Sequence, residues 1–375
     1  MTDITILGAG FGALRTVREL RRRKIDAAIT VIAPTDTFTY FPSLIWMPAG
    51  LRRGADLTVP LAAFFARHRV TFRKAAVQGV SDDGRTVVTD DGEVTNDALV
   101  IASGGRFLRK LPGIENAIIP CAGVASGQAI HDRLAAMDGG TIALGFATNP
   151  AEPGAMRGGP VFEFLFGLDT LLRRQGRRDR FRLVFFNPAP QPGARLGAKA
   201  VSGLLAEMAR RGIDTHLGHK PVRFEPDRVV TEGGEIPADL ILFMPGMTGP
   251  AWLEDSALPR SPGGFIRADA LCRVEGMRRT YVVGDSGSFP GPDWAAKQAH
   301  QAELHARAAV ANLADELAGR EPATPFKTEL VCIVDTLDSG ILVYRNESRN
   351  FVLPAMRPMH WAKRAFEHLY LRGVA

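Results

Sequence analysis

Two sets of residues in this 375-residue chain have types and spacing that suggest chemistry. The first is Gly8-Ala9-Gly10-Phe11-Gly12-Ala13, which fits the pattern Gly-x-Gly-x-x-Gly/Ala. The first glycine of such a run permits a tight turn, and the second lets backbone approach a diphosphate. The small last residue lets a helix close on its strand. The amides at the helix start then face the phosphate charge. The second set is the three cysteines, Cys121, Cys272 and Cys332. An odd number at wide spacing fits no disulfide framework, so each reads as a thiol. A cysteine acts as a nucleophile where a positive charge or a helix end stabilises its thiolate. Cys272, between Leu271 and Arg273 in a strand region, reads as core. Glu163 lies among Phe162, Phe164 and Phe166, where burial would raise its pKa and suit it to accept a proton. The histidines at 131, 216, 219, 300 and 305 show no ligand spacing, so no metal is expected, and no Ser-His-Asp arrangement is readable.

A glycine turn of this kind needs a strand before it and a helix after it. Ile4 to Leu7 supplies the apolar run, and Leu14, Val17 and Leu20 recur at helical spacing among arginines. Ala28 to Ile32 reads as the next buried strand, which completes a βαβ unit. A related opening recurs at Thr141 to Gly145, with a helix expected over Val161 to Arg174 and a strand over Arg182 to Phe186. Val87 to Gly104 (VVTDDGEVTNDALVIASG) and Val229 to Gly246 (VVTEGGEIPADLILFMPG) align without a gap, 142 residues apart. In each, a turn at Asp91-Gly92 or Gly233-Gly234 punctuates a hairpin. Asp97 or Asp239 then precedes a buried strand ending in glycine.

The fold class is therefore α/β, with two Rossmann-like dinucleotide-binding domains, one nested in the other, and a small C-terminal region. Gly264 to Leu317 contains a Gly284-Asp285 turn and a helix expected from Asp293, but no βαβ start, so it is assigned to the first domain. The boundaries are 1–108 plus 250–320 for the first domain, 109–249 for the second and 321–375 for the tail. Two departures matter. Ala33 stands where an acidic residue would hold a ribose, which leaves Asp36, Thr35 or backbone for that contact. In the second copy, Gly145-Phe146-Ala147-Thr148-Asn149-Pro150 puts a methyl group where diphosphate would approach and a proline where an amide is needed. The second domain is not expected to bind NAD(P)H.

Composition sets the outer bounds. Apolar residues make up 46% and charged residues 23%, and the formal charge is +6. No window is apolar for long enough to span a membrane as a helix. The excess charge gathers at Arg21 to Lys24 and Arg173 to Arg182, read as solvated helix faces rather than a nucleic-acid surface. The N-terminus enters a strand without the pattern of a signal peptide, so a cytoplasmic setting is expected. Near the C-terminus, Ala362, Phe366, Leu369 and Tyr370 recur at helical spacing beside Trp361, Lys363, Arg364 and Arg372. That stripe suits peripheral contact with the inner face of the cytoplasmic membrane; packing against the protein's own core explains it equally.

Further segments make the comparison specific. The glycine turn, Ala102-Ser103-Gly104-Gly105 and Tyr281-Val282-Val283-Gly284-Asp285 together resemble the pyridine nucleotide-disulfide oxidoreductase superfamily, flavoproteins with two dinucleotide domains arranged as in glutathione reductase. Five more stretches resemble sulfide:quinone oxidoreductases and the flavin subunit of flavocytochrome c sulfide dehydrogenase. They are Thr39 to Ser43, Gly159 to Glu163, Pro292 to Lys297, and the tail pieces Val331 to Asp335 and His360 to Glu367. The resemblance implies FAD extended through the first domain, with Gly8, Gly10, Gly12 and Ala13 at the diphosphate. Ala33, Asp36, Ser43, Ser103, Gly104, Gly284 and Asp285 complete the expected contacts. Lys297, at the start of its helix, would stabilise the charge of reduced flavin.

In that family two cysteines flank the flavin. Cys332 matches the tail cysteine, but the second-domain cysteine before Gly159-Pro160 is absent. Either Cys121 works with Cys332, or Cys332 works alone, or the donor is not sulfide. The implied reaction takes electrons from sulfide or a small thiol through FAD to a quinone. The alternatives are a sulfide dehydrogenase flavin subunit, another FAD oxidoreductase with a different donor or acceptor, and a flavin-bearing sensor or assembly protein. The expected partners are the sulfur donor and the quinone, with no nucleic acid; self-association is left open.

Overall fold

The computed structural model describes residues 2–375. The chain begins with β1 (Thr2–Leu7), α1 (Phe11–Arg22), β2 (Ala27–Ala33), β3 (Val70–Lys74) and β4 (Ala98–Ile101). It continues with β5 (Gly140–Phe146), α2 (Gly159–Arg174), β6 (Phe181–Asn187), β7 (Asp214–Leu217) and β8 (Leu240–Met244). Then come β9 (Thr280–Val282), α3 (Ala299–Leu317), β10 (Glu329–Asp335), β11 (Gly340–Asn346), β12 (Asn350–Met356) and α4 (Arg357–Val374).

Strands that are apolar on both faces must be covered on both faces, which favours parallel sheets wrapped by helices. The first sheet has the order β9-β4-β1-β2-β3, all parallel. The second has the order β7-β6-β5-β8, also all parallel. The chain leaves the first sheet after β4, builds the second, and returns to the first with β9. Leu14, Val17 and Leu20 of α1 share a core with Ala306, Ala309, Val310 and Leu313 of α3. The alanines let the two helices approach closely over the sheet.

The sequence repeat is a structural repeat. Thr86–Thr89 pairs antiparallel with Gly92–Thr95, and Arg228–Thr231 pairs in the same way with Gly234–Pro237. The aspartate after each hairpin makes the same clamp. The Asp97 carboxylate accepts the Asp3 amide at 2.8 Å, and its own amide donates to the Asp3 carbonyl at 2.8 Å. Asp239 does the same with Thr141, at 2.8 Å in both directions. Each hairpin is thereby fastened to the first strand of its own unit.

The tail forms an antiparallel sheet β10-β11-β12, and α4 packs on β10 and β11. Three expectations need correction. The helix expected from Asp293 starts at Ala299, so Lys297 precedes it rather than opening it. Tertiary contacts hold the segment open: the Arg345 guanidinium lies 4.9 Å from the Trp294 ring, and Lys297 Nζ donates to the Gly287 carbonyl at 2.7 Å. The cluster Arg173 to Arg182 is not simply a solvated face. Arg173 and Arg178, with Arg211, converge on the fully buried Asp169 of α2 at 3.0, 2.6 and 3.0 Å. Cys272 is core, as read, but sits in a turn with φ of 64° rather than in a strand.

Candidate active site

A cavity of about 1530 Å³ opens where both sheets and the tail meet. The first unit lines it with the glycine turn, with Ala33, Pro34 and Thr35 at the end of β2, and with Ser103-Gly104 and Gly284-Asp285. The second unit adds Cys121, Arg157, Phe162, Glu163 and Arg195, and the later chain adds Lys297, Cys332, Lys363 and Phe366.

The glycine turn is built to admit a large ligand. Gly8 has φ of 109°, and a side chain there would overlap the Ala102 carbonyl. A Cβ on Gly12 would stand 2.9 Å from Val283 Cγ2, so glycine keeps α1 close to the sheet. A Cβ on Gly10 would meet nothing within 4 Å, so that backbone is open to the cavity. The first turn of α1 carries no acidic residue, which leaves its amides suited to phosphate. An extended dinucleotide fits these residues.

Of the residues singled out from sequence, Gly8, Gly10, Gly12, Ala33, Ser103, Gly104, Gly284, Asp285, Lys297, Cys121, Glu163 and Cys332 all line this one cavity. Three do not. Asp36 is exposed outside it, because Pro34 and Thr35 take the wall where β2 ends. Ser43 is buried in a 3₁₀ turn, Phe41–Trp46, which gives Phe41 and Pro42 to the cavity and rotates Ser43 into the core. Its Oγ has no hydrogen-bond partner among the described residues. Ala13 faces the core between α1 and the sheet.

At the tail side, Glu163 is buried and accepts two donors on one oxygen: the Asp335 amide at 2.9 Å and Lys363 Nζ. Lys363 also donates to the Ile333 carbonyl at 3.2 Å. Asp335 holds Trp46 Nε1 at 3.0 Å on one oxygen and His360 Nδ1 at 2.7 Å on the other. The strand that carries Cys332 is thus bolted to α2 and α4. Its other end is tied to α3, where Gln301 accepts the Glu329 amide at 3.1 Å and His300 pairs with the Glu329 carboxylate at 2.8 Å. Cys332 Sγ lies 3.6 Å from where a Cβ on Gly159 would stand, so glycine there makes room for the sulfur.

A family model described as pyridine nucleotide-disulphide oxidoreductase matches residues 2–306. The chain belongs to that family. It is an FAD-dependent oxidoreductase. A curated relative, the sulfide-quinone reductase of Aquifex aeolicus, is 24% identical over 99% of this chain and 90% of its own length. The solved structure of the sulfide:quinone oxidoreductase from that organism superposes with a TM-score of 0.89 at 22% identity, covering 100% of this chain and 91% of the other, which shows the shared fold. A type II NADH:quinone oxidoreductase of Mycobacterium tuberculosis is 21% identical over 85% of this chain and 74% of its own length.

In this pyridine nucleotide-disulphide oxidoreductase, the loop that follows β5, residues 147–158, is fastened to the segment that follows β8. The Ala147 amide donates to the Met244 carbonyl at 3.0 Å, and Asn149 Nδ2 donates to the carbonyls of Met247 and Gly263, both at 2.9 Å. A side chain on Gly246 would overlap the backbone of Thr148 and Asn149. Asn187, at the end of β6, turns inward to the Phe146 carbonyl at 2.8 Å.

Burial dominates the ionisation of the cavity groups. It pushes the Cys332 thiol up to about 12, with the Glu163 carboxylate adding to the effect and Lys363 opposing it. Cys121 is likewise pushed up to about 12, against the pull of Arg157. Glu163 is raised by burial despite Lys363. Burial also favours the neutral form of Asp285, but Arg157 and Lys297 outweigh it and hold the carboxyl below its ordinary value. Lys297 is lowered by burial, partly offset by Asp285.

Sequence reasoning did not single out Arg157, which pairs with Asp285, or the Glu163–Lys363 pair. Lys363 was in view as a cation of the final helix; nothing local says that it points inward.

Proposed function

We propose that this oxidoreductase oxidises sulfide, or a related reduced sulfur species, and passes the electrons through FAD to a quinone. The observation that carries this reading is Cys332: a thiol on the wall of the dinucleotide cavity, between the buried Glu163–Lys363 pair and the start of α2. When bound, FAD supplies two-electron redox chemistry. The backbone of Gly8 to Gly12 would hold the diphosphate, Asp285 the ribityl chain, and Lys297 would place a fixed cation at the ring. Cys332 would form an S–S bond with the donor sulfur, the two electrons released going to the bound FAD and the S–H proton to Glu163, while Lys363 favours the thiolate. On the tail side, Ala362, Lys363 and Phe366 belong to the cavity wall, and a quinone would enter beside them. Trp361, Phe366 and Leu369 of α4 are 62, 61 and 67% exposed, an apolar face that would rest on a lipid surface from which quinones partition. No helix among the described residues is long and apolar enough to cross a membrane.

The altered second glycine turn, with Ala147 and Pro150 where an open backbone and a free amide would be needed, favours a sulfur donor over NADH. The domain division expected from sequence, 1–108 plus 250–320, 109–249 and 321–375, belongs to this reading, with the second unit serving as a wall for sulfur chemistry rather than a nicotinamide site.

An anaerobic titration followed in the visible spectrum tests the proposal. Sulfide should bleach the bound flavin, a soluble quinone should restore it, NADH should leave it oxidised, and Cys332→Ala should abolish bleaching by sulfide. Bleaching by NADH but not by sulfide, or an unchanged sulfide rate in Cys332→Ala, would overturn it.

A further inference from the structure

Seven lysine and arginine side chains line the cavity against three carboxylates. The doubly charged diphosphate of FAD offsets only part of that excess. Beside the 147–158 loop that excess is Arg195 and Lys297, the latter partly offset by Glu152; Arg109 and Lys110 carry the rest from another stretch of the chain. Arg157, on this loop, shares the single carboxylate of Asp285 with Lys297, so two cations face one anion. Arg195 reaches the same loop from the other side. Its guanidinium donates to the Pro153 carbonyl at 2.8 Å rather than to a carboxylate. Burial lowers it to about 10, with Asp293 only partly offsetting that from a distance. The loop leads into Gly159, against which Cys332 Sγ rests.

A poorly solvated cavity with uncompensated cations lowers the energy of an anion that enters it and raises its local concentration. We infer that Arg157 and Arg195 form an anion port: the donor reaches Cys332 as a small monoanion, held by these two guanidiniums at the second-unit wall. The identity of that anion as hydrosulfide rests on the sulfide reading above; its charge does not. A guanidinium offers paired N–H donors and keeps its charge through the neutral range, where a weak acid such as hydrogen sulfide is already partly deprotonated.

Thiocyanate, a non-reducing monoanion, separates the two questions. It should perturb the flavin spectrum of the oxidised holoprotein saturably. Arg195→Gln should weaken that binding by roughly tenfold or more, the scale expected for loss of a charge-assisted hydrogen bond. Arg195→Lys should recover most of it, and Cys332→Ser should leave it in place. The bleaching rate with sulfide should fall as ionic strength rises, and less steeply in Arg195→Gln. Arg157→Met should weaken thiocyanate as well; if that variant loses flavin because Asp285 is left unpaired, Arg195→Gln still decides. Thiocyanate binding equal in wild type and Arg195→Gln, or no binding at all, would overturn the port. Arginine-dependent thiocyanate binding without bleaching by sulfide would uphold the port and reject sulfide as the donor.

Discussion

Cys332 holds its sulfur between Glu163, which disfavours the thiolate, and Lys363, which favours it, with burial setting the balance on the neutral side. A thiol raised to about 12 is protonated at neutral pH, and its thiolate fraction grows as pH rises toward that value. In the flavin-free protein, alkylation of Cys332 should therefore speed up by about tenfold per pH unit through the neutral range, since only the thiolate reacts. At fixed pH, Glu163→Gln should accelerate it and Lys363→Met should slow it. Iodoacetamide labelling read by peptide mass spectrometry separates Cys332 from the two buried cysteines, and identical rates in all three proteins would contradict this account. At this scale the sequence was legible where the chemistry is local. Gly8, Gly10 and Gly12 sit within one turn, and their spacing alone states their purpose. The partners of Glu163 and Asp285 were not legible, because Lys363 lies 200 residues from the first and Arg157 lies 128 from the second.

The helix α2 delivers Glu163 to the cavity and Asp169 to the opposite side of the second unit, where three guanidiniums meet it. Replacing one member of a buried ionic cluster leaves the others uncompensated, which costs about 3–5 kcal/mol. Asp169→Asn should lose stability on that scale in urea unfolding; a change within about 0.5 kcal/mol, as for an ordinary surface site, would mean that solvent already satisfies the arginines. The arginine-rich stretch was misread from sequence because charged runs look solvated unless the buried anion they serve is known, and Arg211 arrives from the turn after a separate helix, Ala198–Arg210. The strands and α2 were legible because apolar periodicity and flanking turns agree. The start of α3 was not: Pro292 to Lys297 has the composition of a helix entry, but Trp294 and Lys297 find tertiary partners that keep it out of the helix.

At the scale of the whole molecule, the duplicated hairpin and its aspartate clamp mark the two units, and the cavity lies where these units and the tail converge. A ligand that touches all three couples their unfolding. With FAD at about 100 times its dissociation constant, linkage adds about 2.7 kcal/mol. Calorimetry should then show a single, higher transition, whereas flavin-free protein should melt earlier and in less unified steps. An unshifted transition on removing FAD would mean that the units are already joined without it. The repeat was readable in the sequence, since its aligned segments kept both turn residues and the aspartate. The way the tail closes the cavity was not, because β10 is held by contacts from α2, α3 and α4, none of them close in the chain. That anchoring has a consequence for turnover. With its strand fixed at both ends, Cys332 cannot swing to a distant partner in the manner of a carrier arm. The sulfur is a stationary post, so reactants must travel to it and products must leave by diffusion. The width of the passage around it, more than the reach of any residue, sets the largest molecule this protein can process.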